Sequence, residues 1–167
     1  MSSLYNSIKK ENSDNQQEIS SFVFSNALKN VIQTMTSIEI SETRVINDDA
    51  GDIFQISGVI LMVGQKNIML SLTVSSQMAY TLISFMTGIQ REELKVDDLY
   101  DGISEITNMV AGEVRAYMST RGVQLTTFAP FAIAGKQFTF IYKNKIPNII
   151  KQYHSNNEEI KLRVYFL

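Results

Sequence analysis

Residues 97–120 read DDLYDGISEITNMVAGEVRAYMST. Asp97 is a suitable helix N-cap, apolar residues recur at helical intervals, and Gly122 supplies a stop signal, so the spacing predicts one long helix to about Thr120. On a wheel of 100° per residue with Asp101 at zero, Glu105 falls about 40° to one side and Asn108 about 20° to the other, with Gly112 about 20° away. Leu99, Ile103, Ile106, Val110, Val114 and Tyr117 gather between about 140° and 220°. The helix must therefore bury the apolar side and turn Asp101, Glu105 and Asn108 outward.

Upstream, Ser75 or Ser76 is expected to cap a helix with a core face of Ala79, Leu82, Ile83 and Met86, closed by Gly88. Before it, the apolar runs Ile53–Val63 and Ile68–Val74, joined by Gly64-Gln65-Lys66-Asn67, read as a β-hairpin. Residues 37–46 are β-branched and begin with alternation, which predicts a strand, and Asn47 to Asp52 read as a solvated turn. From about Gln17 to Met35, Phe22, Val23, Leu28, Val31, Ile32 and Met35 are spaced for an amphipathic helix. Downstream, strands are expected over about 123–128, 131–142, 146–153 and 158–167. In the last of these Ile160, Leu162, Val164 and Phe166 alternate with Lys161, Arg163 and Tyr165. Three helices with six or seven mostly hairpin-linked strands predict an α+β domain, helices packed on a largely antiparallel sheet.

Bulk properties narrow the function. The 167 residues fit one domain, expected over 17–167 behind a polar, frayed arm at 1–16. That arm has no apolar run behind Lys9 and Lys10 and reads as neither signal peptide nor targeting helix. No apolar stretch approaches the roughly 20 residues that span a bilayer, and the expected location is the cytoplasm. A net charge of −2 provides no basic field, which argues against nucleic acid and anionic membrane as partners. With no Cys there is no thiolate nucleophile and no Cys-ligated metal. The one His, His154, lies in a polar hairpin near the C-terminus and reads as a surface residue, and Arg115 reads as solvated.

The outward stripe is unlike an ordinary solvated helix face, which carries Lys, Glu and Arg in opposite-charge pairs at i,i+4. Asp101 and Glu105 are like-charged at that spacing. Asn108 and Gly112 are poor helix formers, the glycine costing about 1 kcal/mol relative to Ala. A face that gives up propensity in this way, with a glycine that lets another backbone come close, has the character of a docking surface.

The segment Asp101-Gly-Ile-Ser-Glu105-Ile-Thr-Asn108-Met-Val-Ala-Gly112, with Pro130 after 21 intervening residues, resembles the signature of the CheC/CheX/FliY phosphatases of bacterial chemotaxis. That signature is an acidic residue or Ser, three residues, Glu, two residues, Asn, then Pro after 21 or 22. The stretch Phe24-Ser-Asn-Ala27-Leu-Lys-Asn30-Val31-Ile-Gln-Thr34-Met35 is similar to the opening helix of CheX-type members. CheC-type members carry the motif on two helices, whereas the first helix here has Ala27 where a Glu would precede Asn30. The resemblance is therefore to the CheX type, with one active motif.

The resemblance implies a hydrolase, a CheC-like domain that removes the aspartyl phosphate of a CheY-type response regulator. Asn108 would be inserted to orient the attacking water and Glu105 would pair with the regulator's active-site lysine. Asp101 and Gly112 would help dock the substrate, and Pro130 would either shape the loop beside the helix or end an edge strand. No cofactor is implied on this chain, because the regulator carries the Mg²⁺. Family members of this type are homodimers joined through their sheets, and the apolar strand Ile160–Leu167 is the expected pairing edge. The alternative of the same fold is a module that binds a regulator or the flagellar switch without hydrolysis.

Overall fold

The computed structural model describes residues 21–43, 54–136 and 146–167. A helix over 21–36 (α1) is followed by strands β1 (Ser41–Thr43), β2 (Gln55–Gly64) and β3 (Ile68–Ser75), then helices α2 (Ser76–Thr87) and α3 (Val96–Ser119). Strands β4 (Leu125–Thr127), β5 (Phe131–Gly135), β6 (Asn148–Ser155) and β7 (Glu158–Phe166) complete the described order. The strands form one sheet in the order β1-β6-β7-β3-β2-β4, with β5 also on β2, and every pairing is antiparallel. This is the α+β architecture expected from the sequence. The arm at 1–16, the turn at 47–52 and the ends of the strands expected over 37–46 and 131–142 lie outside the described residues.

Period-2 alternation decides what the sheet buries. Ile68, Leu70, Leu72 and Val74 of β3 stand level with Phe166, Val164, Leu162 and Ile160 of β7, and with Met62, Ile60, Gly58 and Ile56 of β2. The three helices cover this face. α1 contributes Val23, Phe24, Ala27, Leu28, Val31 and Ile32 to the core, and α2 contributes Met78, Ala79, Leu82 and Ile83. Phe22, which the spacing places with the core, is 64% exposed. Phe24 is fully buried instead, edge-on to Phe166 with ring centroids 6.4 Å apart. Helix ends follow local chemistry: Ser75 Oγ accepts from the Met78 N–H at 3.0 Å, and Gly88 closes α2 at φ 73°.

The opposite face is more polar along its centre. Ser57 and Thr73 share a hydroxyl–hydroxyl hydrogen bond, and Arg163 donates to Thr73 Oγ1 at 3.2 Å. Lys161 is only 3% exposed and pairs with Glu159 at 3.4 Å. Tyr165, on the same side, is also buried. A second departure concerns β7. As the last strand, apolar and next to the chain end, it reads as an edge, yet it lies between β3 and β6 with both ladders occupied. It has no free row of backbone groups to offer a second copy. The outer strands among the described residues are β1 on one side and β4 and β5 on the other.

The seat of α3 on β2 is a close contact. A Cβ placed on Gly58 would meet Thr107 Oγ1 at 2.1 Å and the Ile103 carbonyl oxygen at 2.7 Å. Glycine is required there because the helix backbone lies directly against the strand. Thr107 is fully buried and returns its hydroxyl to the Ile103 carbonyl at 2.7 Å, so no polar group is stranded under the helix. A Cβ on Gly102 would fall 2.2 Å from Ile83 Cδ1, and this close approach sets α3 against α2. Gly58→Ala is expected to destabilise the protein by about 2–3 kcal/mol through overpacking, seen as a lower urea midpoint at unchanged slope.

Under α1, Tyr153 is fully buried and hydrogen-bonded to Ser25, with the Lys29 ammonium 5.9 Å from its ring centroid. Burial pushes the phenol up from 10.0 to about 12, with the Ser25 bond acting against it and the Glu42 carboxylate adding to it. A raised folded-state value means that stability is whole below the unfolded value and is lost on passing the folded one. The neutral phenol therefore contributes fully below pH 10 and progressively less toward pH 12. Tyr153→Phe is expected to cost about 1 kcal/mol at pH 7 and to remove this alkaline component, measured as urea stability of both proteins at neutral and alkaline pH.

Candidate active site

The stripe runs along α3 from its second turn to its middle. The helix starts at Val96, one residue before Asp97, so Asp97 is not its N-cap. Lys95 is, and its backbone N–H donates to Asp98 Oδ2 at 2.7 Å. Asp97 and Asp98 then lie in the first turn, where carboxylates meet the positive end of the helix dipole. Leu99, Ile103, Ile106, Val110 and Val114 are buried, as the wheel predicts, while Asp101 and Glu105 are exposed and Asn108 and Gly112 half-buried. Gly122 ends the helix region at φ 78°.

Glu105 and Asn108 face the same way, one turn apart, and Asn108 Nδ2 donates to Glu105 Oε2 at 3.4 Å. The side-chain amide oxygen of Asn108, Oδ1, takes no hydrogen bond among the described residues. The pair thus presents an exposed carboxylate beside an amide with a free acceptor and a remaining N–H. Asp101 joins no hydrogen bond or ion pair among the described residues. A Cβ on Gly112 would meet nothing within 4 Å, so none of the described residues uses the close approach the glycine permits.

Pro130 immediately precedes β5 and comes to the same place. The chain turns here between β4 and β5, both on the outer side of β2, and the Phe128 N–H donates to the Leu61 carbonyl at 2.9 Å. The turn brings Pro130, Phe131 and Ala132 opposite Tyr100, Asp101, Ser104 and Glu105, and these seven line an open groove. Three of the expected site residues, Asp101, Glu105 and Pro130, therefore share one groove. Asn108 lies one turn beyond Ser104, and Gly112 lies farther along the exposed face.

Tyr100, Ser104, Phe131 and Ala132 were not anticipated as part of this site. For Ser104 a signal existed, since it falls about 60° from Asp101 on the wheel. Phe131 and Ala132 depend on which strand lies beside α3, and local sequence does not specify that. Arg115 is exposed and reaches Thr127 Oγ1 only at 3.5 Å, and His154 is an exposed residue of β6. Among the described residues no three acidic, His or Cys side chains gather as a metal site, and no helix is long and apolar enough to cross a membrane.

Comparison with known proteins agrees with this fold. A family model described as chemotaxis phosphatase CheX matches residues 56–153. The fold is similar to the chemotaxis protein CheX of Vibrio vulnificus, at TM-score 0.74 and 29% identity over 86% of this chain and 93% of that one. It is similar to CheX of Desulfovibrio desulfuricans at TM-score 0.74 and 26% identity, covering 89% of this chain and 99% of that one. A third structure, CheX of Borrelia burgdorferi in a complex with CheY, BeF₃ and Mg²⁺, shares the fold at TM-score 0.70 and 14% identity, over 86% of this chain and 95% of that one. Among curated proteins there is no significant match. The matched segment runs from β2 through the whole of α3 to β6, so it contains Asp101, Glu105, Asn108 and Pro130 together with the strands that seat them, and the chain belongs to the chemotaxis phosphatase CheX family.

Proposed function

We propose that this protein hydrolyses the aspartyl phosphate of a CheY-type response regulator, with Asn108 positioning the attacking water. The observation that carries this reading is the Glu105–Asn108 pair, held outward on a rigid helix and supported by a hydrogen bond of 3.4 Å. In this reaction water attacks phosphorus, the aspartyl carboxylate leaves, and inorganic phosphate is released. An amide suits the task because it accepts a hydrogen bond from the water and donates one to it without taking its proton. The glutamine that orients water in GTPases works in the same way. The chain needs no nucleophile or metal of its own, since the regulator brings the phosphorylated aspartate and its Mg²⁺. The family match and the CheY complex of the Borrelia protein support this division of labour.

Within this reading Glu105 pairs with the regulator's active-site lysine and sets the docking register, and the open space over Gly112 accommodates the partner's backbone. Asp101 and Pro130 belong to the docking surface. The protein acts in chemotaxis signalling in the cytoplasm. It forms a homodimer through an outer edge of the sheet, β1 or β4–β5, because β7 has both neighbours in place.

Phosphate release from a phosphorylated CheY-type receiver should accelerate on addition of the wild-type protein, and Asn108→Ala should lose on the order of 10²-fold of that acceleration. No acceleration by wild type would overturn the enzymatic reading. A fully active Asn108→Ala would overturn the role of the amide while leaving the activity. Light scattering on the purified protein should give twice the 18.9 kDa chain mass, and a mass of one chain would remove the homodimer.

A further inference from the structure

The groove beside the stripe contains more chemistry than water positioning uses. Its α3 wall holds the Tyr100 phenol, the Asp101 carboxylate and the Ser104 hydroxyl, and none of the three makes a side-chain hydrogen bond or ion pair among the described residues. Its other wall, Pro130, Phe131 and Ala132, carries no charge, and no basic residue lines the groove among the described residues. The apolar wall continues outward, with Phe131 49% and Phe128 57% exposed. Large exposed aromatics beside unpaired polar groups are characteristic of protein docking sites. One wall offers negative charge and hydrogen-bonding groups, and the other offers hydrocarbon. The complementary occupant is a side chain with an aliphatic stem and a cationic end.

We propose that this groove selects the partner by receiving a lysine or arginine from the receiver surface, outside the receiver's reaction centre. This rests on the reading given under Proposed function and assigns Asp101 a role distinct from that of Glu105. The stem lies against Pro130 and Phe131, and the cation pairs with Asp101 within reach of the Tyr100 and Ser104 hydroxyls. Along α3, Asp101 precedes Asn108 by seven residues, about 10 Å at 1.5 Å per residue. The cation is therefore held about 10 Å along the helix from the amide that faces the phosphorylated aspartate. Glu105 lies between the two, so groove and reaction centre are engaged together when the helix docks in one register.

Because the groove is used equally before and during hydrolysis, its loss alters KM and not kcat. Asp101→Asn is expected to raise KM for the phosphorylated receiver about tenfold, as for the loss of a charge-assisted hydrogen bond, with kcat within twofold of wild type. It should also flatten the rise of KM with ionic strength, and Asp101→Glu should restore most of the affinity. A binding arm uses a CheY-type receiver loaded with beryllofluoride and Mg²⁺, for which Asp101→Asn should weaken Kd by the same factor. Equal Kd for wild type and Asp101→Asn overturns the proposal, as does a fall in kcat at unchanged KM, which would move Asp101 into the chemistry. If wild type binds the loaded receiver but does not accelerate phosphate release, the hydrolytic reading fails, and the Kd comparison still decides the groove.

Discussion

The fold depends on how closely α3 lies against β2. At Gly58 the strand has no side chain, and Thr107 and the Ile103 carbonyl occupy the space a Cβ would need. The same helix is pinned laterally where Gly102 admits Ile83 of α2. Two glycines on different elements thus bring one helix into contact with the sheet on one side and with its neighbour on the other. With those contacts made, rotation of α3 about its axis is set by Leu99, Ile103, Ile106, Val110 and Val114, which are buried and cannot turn outward. The direction of Asp101, Glu105 and Asn108 is the geometric remainder of that packing.

The water-positioning role proposed for Asn108 needs this rigidity. Water positioning tolerates little displacement, and groups on packed helices hold their geometry better than groups on loops. Glu105 and Asn108 sit midway along a 24-residue helix, away from its fraying ends. Their surroundings on this chain are nevertheless incomplete. The Asn108 side-chain oxygen Oδ1 and the Asp101 carboxylate have no partners among the described residues, and the space over Gly112 is open. Under the proposed function those valences are left for the partner to fill. Membership in the CheX family gives this incompleteness its context.

Much of the architecture was legible because it rests on short-range patterning. The hairpin of β2 and β3 followed from two apolar runs around Gly64 to Asn67, the close of α2 from Gly88, and the outward stripe from 3.6-residue periodicity. The misreadings have equally physical causes. Asp97 looked like the cap because it is the first acidic residue of the run, yet Asp98 three residues after Lys95 is better placed to accept the backbone N–H. The strand at Ile160–Leu167 looked like a pairing edge because it is apolar and last in the chain, but β7 is an interior strand with both ladders occupied. Phe22 and Phe24 share an apolar helix, and only the placement of α1 over Phe166 decides which of them is buried.

The sequence by itself determined the helix, its exposed face and the residues on it, since periodicity, capping and motif spacing act over a few turns of chain. It also determined that Asn108 and Glu105 stand one turn apart, where an amide and a carboxylate can work as a pair. Only the tertiary structure decided that β5 lies beside α3 and that Pro130, Phe131 and Ala132 form the wall facing Tyr100, Asp101 and Ser104. Strand order in an antiparallel sheet depends on long-range pairing, and no local pattern encodes which strand becomes the neighbour. The stripe was therefore readable as a line of residues, and the groove that gives it a second wall arose from the fold.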